Sequence, residues 1–173
     1  MLVFATEGEA GLPSWFSRST AESIAGASRT AALFVPATAE RGLVSLENGA
    51  YTLRSILVPV DRQPDAGMAI EFATRAAGIF GDERVNITLL HVGAESAPWP
   101  NVADGASWVV TKEQRTGAVI EEILDAATRV QADLIVMPTA GEQGLLEMLR
   151  GSTTEHVLRR ARCPVLAVPA TRP

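Results

Sequence analysis

The sequence predicts an α/β fold: an open, parallel five-stranded sheet with helices on both faces, extended by an N-terminal βαβ remnant and a β-hairpin connector. Three observations predict it. Residues 55–60, 85–92, 134–137 and 165–168 are short, nearly continuous apolar runs, the pattern of strands buried on both faces. Segments with apolar residues at helical spacing alternate with them, as in β-α-β units feeding a parallel sheet. Residues 1–36 align without a gap on residues 134–169 at a constant offset of 133, with thirteen identities in 36 positions. Average composition would give roughly two or three.

The repeat orders the chain. Gly8 matches Gly141, Gly11 matches Gly144, Glu22 matches Glu155 and Leu33 matches Leu166. Nothing ahead of Met1 corresponds to residues 51–133, so the expectation is a tandem protein seen from the end of its first copy. Residues 1–36 are then the C-terminal remnant of one repeat, 37–53 a connector and 54–170 a complete domain. In the connector, Asn48-Gly49 between alternating stretches signals a hairpin. The first strand of the domain covers 55–60, and Ala66, Ala69, Ile70, Ala73, Ala77 and Phe80 then recur at helical spacing. A second strand covers 85–92, a Pro- and Gly-bearing loop 93–107, and a short third strand 108–110. Val119, Ile120, Ile123, Leu124, Ala127 and Val130 mark another amphipathic helix, 134–137 a buried fourth strand. Residues 152–162 form a helix that opens at Gly151-Ser152 and closes before Pro164, and 165–168 is the last strand.

Composition narrows the function classes. A chain of 173 residues with 47% hydrophobic and 20% charged residues has the balance of a globular domain. Its net charge of -5, with Lys and Arg scattered, advertises neither nucleic acid nor an anionic membrane as partner. No apolar run approaches the roughly 20 residues that span a bilayer. The single cysteine, Cys163, excludes an intrachain disulfide. The start lacks a basic signal-peptide region, so the expectation is a cytoplasmic protein.

In an open parallel sheet, ligands sit beyond the strand C-termini where the strand order reverses. Two loops qualify: Pro59-Val60-Asp61 after the first strand, and the stretch from Met137 to Ser152 after the fourth. The polar and glycine-rich residues of the domain concentrate there. Gly141 permits a tight bend and Gly151 a close backbone approach. Ser152, Thr153 and Thr154 bring hydroxyls to a helix N-terminus, where N–H groups and the dipole favour an anion.

These residues resemble the universal stress protein family. The resemblance rests on Ile56-Leu-Val-Pro-Val-Asp61, Leu89-Leu-His-Val92 and Asp133-Leu-Ile-Val-Met137. It rests most on the run from Gly151 to Val168, which follows the family's final helix and strand almost position by position. The match covers the whole of 54–170, and 1–36 match the family's last third. It implies an adenine nucleotide α-hydrolase-like fold. It also implies a regulatory, dimerising domain that binds ATP or AMP/ADP, with or without Mg. Asp61, beside Pro59, would approach adenine or ribose, and Val92 and Met137 would flank the base. Nucleotide-binding members carry Gly, two residues, Gly, nine residues, then Gly-Ser or Gly-Thr. Gly141 and Gly151-Ser152 fit that spacing, but Pro138 stands where the first glycine belongs and offers no N–H. The alternative is therefore a nucleotide-free assembly module. No general base is placed by the sequence, so slow ATP hydrolysis is the most the resemblance implies. The first copy carries Arg18 where the second has Gly151, and is not expected to form a second site.

Blander readings stand beside these. Gly141, Gly144, Gly151 and Ser152 also serve as turn and cap residues, and Asp61 as a solvated turn carboxylate. His91 reads as a core histidine and Cys163 as a packed thiol. Trp99, between Pro98 and Pro100, is expected to be exposed, against a partner or over the pocket. A remnant of the size of 1–36 cannot fold alone. Residues 31–35 are therefore expected beside 165–168, in the same chain or a partner's, with a second chain over the edge near Met1. The expected assembly is a homodimer or larger.

Overall fold

The computed structural model describes residues 1–6, 30–39, 43–45, 47–139 and 152–170. Two strands come first, β1 (Leu2–Thr6) and β2 (Ala32–Pro36), and then strands and helices alternate. These are β3 (Leu53–Pro59), α1 (Gly67–Phe80), β4 (Gly81–Val92), β5 (Trp108–Arg115), α2 (Val119–Arg129), β6 (Leu134–Thr139), α3 (Thr153–Arg160) and β7 (Val165–Pro169). They build one seven-stranded sheet in the order β1-β2-β7-β6-β3-β4-β5. The five strands from β7 to β5 are mutually parallel, the fold class that the alternating pattern predicts.

Strand alternation sorts the core into two layers. Ile56, Val58, Ile87, Leu89, Val136 and Leu166 face α1, meeting its Ala69, Ile70, Ala73 and Ala77. Leu57, Leu90, Ile135, Met137, Val165 and Ala167 face the other way, towards Ile123 and Ala126 of α2 and Val157 and Leu158 of α3. Both layers run on into β2, with Leu33 in the first and Phe34 in the second. Phe34 stacks on Phe4 of β1 at 5.2 Å between ring centroids.

The register of the N-terminal strands repeats that of the C-terminal ones. β1 and β2 pair in parallel with Leu2 opposite Ala32, a separation of 30. β6 and β7 pair in parallel with Ile135 opposite Val165, again 30 apart, and these four residues correspond at the offset of 133. β2 lies antiparallel to β7 with Leu33 opposite Leu166, themselves corresponding residues. Ala32 faces Ala167 and Phe34 faces Val165 on either side of that centre. The seam is therefore a local pseudo-twofold, and 31–35 dock beside 165–168 within one chain. The segment 7–29, which carries the expected helix of the remnant, lies outside the described residues.

Three local expectations change. Asn48-Gly49 does form the turn: Gly49 has φ of 72°, Asn48 Oδ1 accepts the Ala50 N–H, and Ser45 N–H donates to the Ala50 carbonyl. Among the described residues the connector nevertheless makes one antiparallel bridge, Val44 to Tyr51, because the chain leaves at Leu53 to join the main sheet. β4 begins at Gly81 rather than 85, and the third strand extends to Arg115 rather than ending at 110. Its second half, Thr-Lys-Glu-Gln-Arg, has no apolar face to reveal it. β5 is an edge strand, held by its backbone ladder to β4, and charged residues on an edge discourage further pairing.

Two polar features brace the frame. Asp133 is 4% exposed, and its Oδ2 accepts the N–H groups of Arg54 at 2.8 Å and Ser55 at 3.0 Å. The Asp133 N–H donates to the Ser55 carbonyl, and Ser55 Oγ to the Val130 carbonyl. The starts of β3 and β6 are thereby tied together. On the β5 edge, Arg115 pairs with Glu113 at 2.7 Å, Glu122 at 3.1 Å and Asp125 at 2.7 Å, while Arg129 also pairs with Glu113. Partial burial pushes the Glu113 carboxyl up, but hydrogen bonds from Arg115 and Arg129 outweigh it and hold its pKa below the usual value.

Asp133→Ala removes the acceptor of the buried Ser55 N–H and the part-buried Arg54 N–H, so unfolding in urea should show a loss of roughly 2–4 kcal/mol. Asp133→Asn, which keeps one oxygen, should lose less. A carboxyl with a depressed folded pKa stabilises above its unfolded pKa, and that stability disappears as pH falls through the folded value. Glu113→Gln should accordingly flatten the acid limb of the melting-temperature profile and leave the limb above neutrality unchanged.

Candidate functional site

The sheet opens where β3 and β6, adjacent in space but not in sequence, lose contact. Their pairing covers Ile56–Leu134 and Leu57–Ile135 and then stops. Backbone direction explains why. Val60 N–H donates to the Leu90 carbonyl of β4, so by alternation residue 59 faces β6. Ile135 N–H donates to the Pro164 carbonyl on the β7 side, so Val136 and residue 138 face β3. The next two rungs would need N–H groups from Pro59 and Pro138, and neither residue has one. With the strand starts tied at Asp133 and the ends unzipped, a cleft opens at the C-terminal edge.

That cleft has a volume of about 230 Å³. Leu90, Val92, Ile123 and Met137 give it an apolar floor, on the face packed by α2 and α3. Pro59, Val60, Asp61, Gln63 and Pro64 form one wall; Pro138, Thr139, Ser152, Thr153 and Thr154 form the other, with Val119 at the rim. Of the residues singled out from the sequence, Pro59, Asp61, Val92, Met137, Pro138, Ser152, Thr153 and Thr154 meet here. Gly141 and Gly151 lie outside the described residues.

The local chemistry divides into spoken-for and open groups. Ser152 caps α3: its Oγ accepts the Glu155 N–H at 3.1 Å, the Ser-x-x-Glu arrangement of a capping box. The first N–H groups of any helix, here those of Thr153 and Thr154, lack intrahelical acceptors and point outward from its start. Asp61 is exposed, and its Oδ1 accepts the following N–H, of Arg62, at 2.7 Å. Thr139, which the sequence reading passed over, is 4% exposed, and its Oγ1 has no hydrogen-bond partner among the described residues. The signal for it was position: two residues after Met137, it shares that residue's face.

His91 is buried in β4, with Nδ1 3.1 Å from the Val60 carbonyl and Trp99 edge-on at 6.4 Å. By alternation with Leu90 and Val92 it faces α1, away from the cleft. Trp99 is partly buried against that same layer, not over the pocket, because the His91 ring and the layer facing α1 give it an apolar seat. Cys163 is buried in the core. Among the described residues no group of three or more His, Cys, Asp or Glu could hold a metal ion. No helix among them is long and apolar enough to cross a membrane.

Comparison with known proteins adds the lineage. The description "Universal stress protein family" matches residues 101–169. Universal stress protein MJ0531 of Methanocaldococcus jannaschii is 26% identical over 150 residues, covering 71% of this chain and 86% of that protein. The crystal structure of a universal stress protein from Archaeoglobus fulgidus DSM 4304 aligns over 97% of this chain with a TM-score of 0.63 and 19% identity. This chain spans 60% of that one's length. The crystal structure of a universal stress protein in complex with cAMP aligns over 69% of this chain and 98% of its own, with a TM-score of 0.52 and 18% identity. Sequence match and shared fold agree: part of the chain, residues 101–169, matches the universal stress protein family, and the chain as a whole is similar to proteins of that name in sequence and fold.

Proposed function

We propose that the cleft between β3 and β6 binds an adenine nucleotide, and that the domain acts as a regulatory stress-response module through its occupancy. The observation that carries this reading is convergence. Eight residues chosen from sequence, drawn from four separated stretches, line one cleft at the strand-order reversal beside a helix N-terminus. The apolar floor of Val92 and Met137 suits a base, and the start of α3 suits a phosphate. A relative of the same fold is described in complex with cAMP, which supports an adenine nucleotide as ligand class. The nucleotide-free assembly module remains a second reading, favoured by Pro138. Gly151 enters on sequence alone, as the residue that Arg18 replaces in the first repeat. Gly151→Arg should leave the circular dichroism spectrum intact and weaken nucleotide binding in calorimetry by at least about tenfold.

We further propose that residues 1–36 are the end of a preceding repeat and serve as an assembly element. The matching registers and the pseudo-twofold at Leu33 and Leu166 support this. β2 covers the edge of β7, and β1 is the outer strand, with Met1 70% and Val3 61% exposed. Any homodimer would then form through β1. Deleting residues 1–36 bares the β7 edge around Leu166, and sedimentation should show the shortened protein self-associating more strongly than the full chain.

A further inference from the structure

We infer that His91, on the face of the sheet turned away from the cleft, is a positioning residue of the candidate site: its imidazole holds the Val60 carbonyl and thereby sets where Asp61 stands. The inference rests on the nucleotide reading above, in which Asp61 meets the ligand. It adds a residue that stands behind the wall rather than in it. Two observations carry it, one at each ring nitrogen.

The first is the hold on the wall. Pro59 cannot donate towards β6, so at this level β3 is carried on its β4 side. The Val60 N–H donates to the Leu90 carbonyl at 2.8 Å, and the Val60 carbonyl lies 3.1 Å from His91 Nδ1. A carbonyl can only accept, so Nδ1 carries the proton and donates it, and Nε2 is bare. Val60 and Asp61 both line the cleft, and Asp61 follows directly on the carbonyl that His91 holds. The peptide unit between them is planar, so fixing that carbonyl fixes the direction in which Asp61 leaves the sheet. Asp61 itself is exposed and bonds locally, its Oδ1 accepting the Arg62 N–H. Its place is inherited from Val60.

The second is the confinement of the ring. Trp99 stands edge-on to it at 6.4 Å, and a Cβ on Gly93 would fall 2.9 Å from Nε2. Gly93 is itself fixed: its N–H donates to the Arg115 carbonyl at 2.8 Å, and its carbonyl accepts from Gln114 Nε2 at 2.9 Å. A side chain at position 93 would therefore push on the imidazole, and glycine leaves it room. His91 is 5% exposed, and its Nε2 is buried with no hydrogen-bond partner among the described residues. A buried acceptor left unpaired is unfavourable and calls for a reason. The pose that aims Nδ1 at the wall supplies one.

The test separates the hold on the wall from its effect on a ligand. In the ligand-free full chain, imidazole nitrogen shifts in nuclear magnetic resonance should show His91 protonated at Nδ1 alone. Hydrogen exchange at the Val60 amide should accelerate in His91→Leu and in Gly93→Ala. It should accelerate much less in His91→Asn, whose amide nitrogen sits where Nδ1 was, than in His91→Gln, whose amide reaches the Nε2 position instead. The Asn and Gln pair decides the matter even if the Leu variant does not fold. Calorimetry with ATP, AMP and cyclic AMP then reads the ligand side. His91→Leu or His91→Gln should weaken the best-bound probe about five- to tenfold, and His91→Asn should recover most of that loss. In an Asp61→Ala background the same changes should weaken binding by less than about twofold, because residues that act through one another are not additive. A merely structural role would weaken it equally in both backgrounds. A proton on Nε2, or Asn and Gln variants that exchange alike, would overturn the hold on the wall. Equal losses with and without Asp61 would overturn the positioning role and leave the nucleotide reading standing. No binding of any probe by the unaltered protein would overturn the nucleotide reading and the positioning role with it, while tautomer and exchange still decide whether His91 holds Val60.

Discussion

Two missing N–H groups decide where the sheet opens. β3 and β6 are held together at their starts by the carboxylate of Asp133 and by two rungs of parallel ladder. The next two rungs fall on Pro59 and Pro138, which cannot donate. The strands therefore part at the level where their side chains leave the core, and the sheet gains an opening at its strand-order reversal. Everything placed at the cleft follows from that. The apolar floor is the last layer of core residues, the walls are the loops that the parted strands lead into, and the start of α3 faces the gap. A continuous ladder would close it.

The same backbone logic extends the sheet in the other direction. β7 would end the parallel array with an unpaired edge of apolar residues, which is a hazard for a free chain. β2 pairs with it antiparallel, and corresponding residues of the repeat, Leu33 and Leu166, sit opposite one another. Because side chains alternate, this register keeps Leu33 in the layer with Leu166 and Phe34 in the layer with Val165. A slip by one residue would put each into the opposite layer. The hydrophobic pattern of the repeat thus sets the seam, and β1 then follows β2 in the register that β6 keeps with β7.

Much of this was legible in the sequence, for reasons that can be named. The runs at 55–60, 134–137 and 165–168 are apolar throughout because their strands are buried on both faces. The repeat was legible because corresponding residues occupy corresponding registers. The second half of β5 was hidden because an edge strand of Thr, Lys, Glu, Gln and Arg is held by backbone bonds rather than by burial. Asp133 was seen as part of a motif, but its task as acceptor for Arg54 and Ser55 joins residues nearly eighty positions apart, which no local pattern reveals. Trp99 was misplaced because its flanking prolines suggest exposure, while its contact with His91 is a tertiary one. Thr139 is marked in the sequence only by its position two residues after Met137; that it is buried with no hydrogen-bond partner among the described residues is a tertiary fact.

Pro138 also changes meaning once its neighbours are known. As a departure from a glycine pattern it looks like a loss. In the sheet, its N–H position faces β3, so a glycine there would offer a donor to the parted strand or to whatever fills the gap. Proline removes that donor, leaves the Pro59 carbonyl without its rung and keeps the cleft open without a ligand. Among the described residues, the wall it belongs to offers the Thr139 hydroxyl and the start of α3. The departure at position 138 thus belongs with the parting of β3 and β6 as one arrangement.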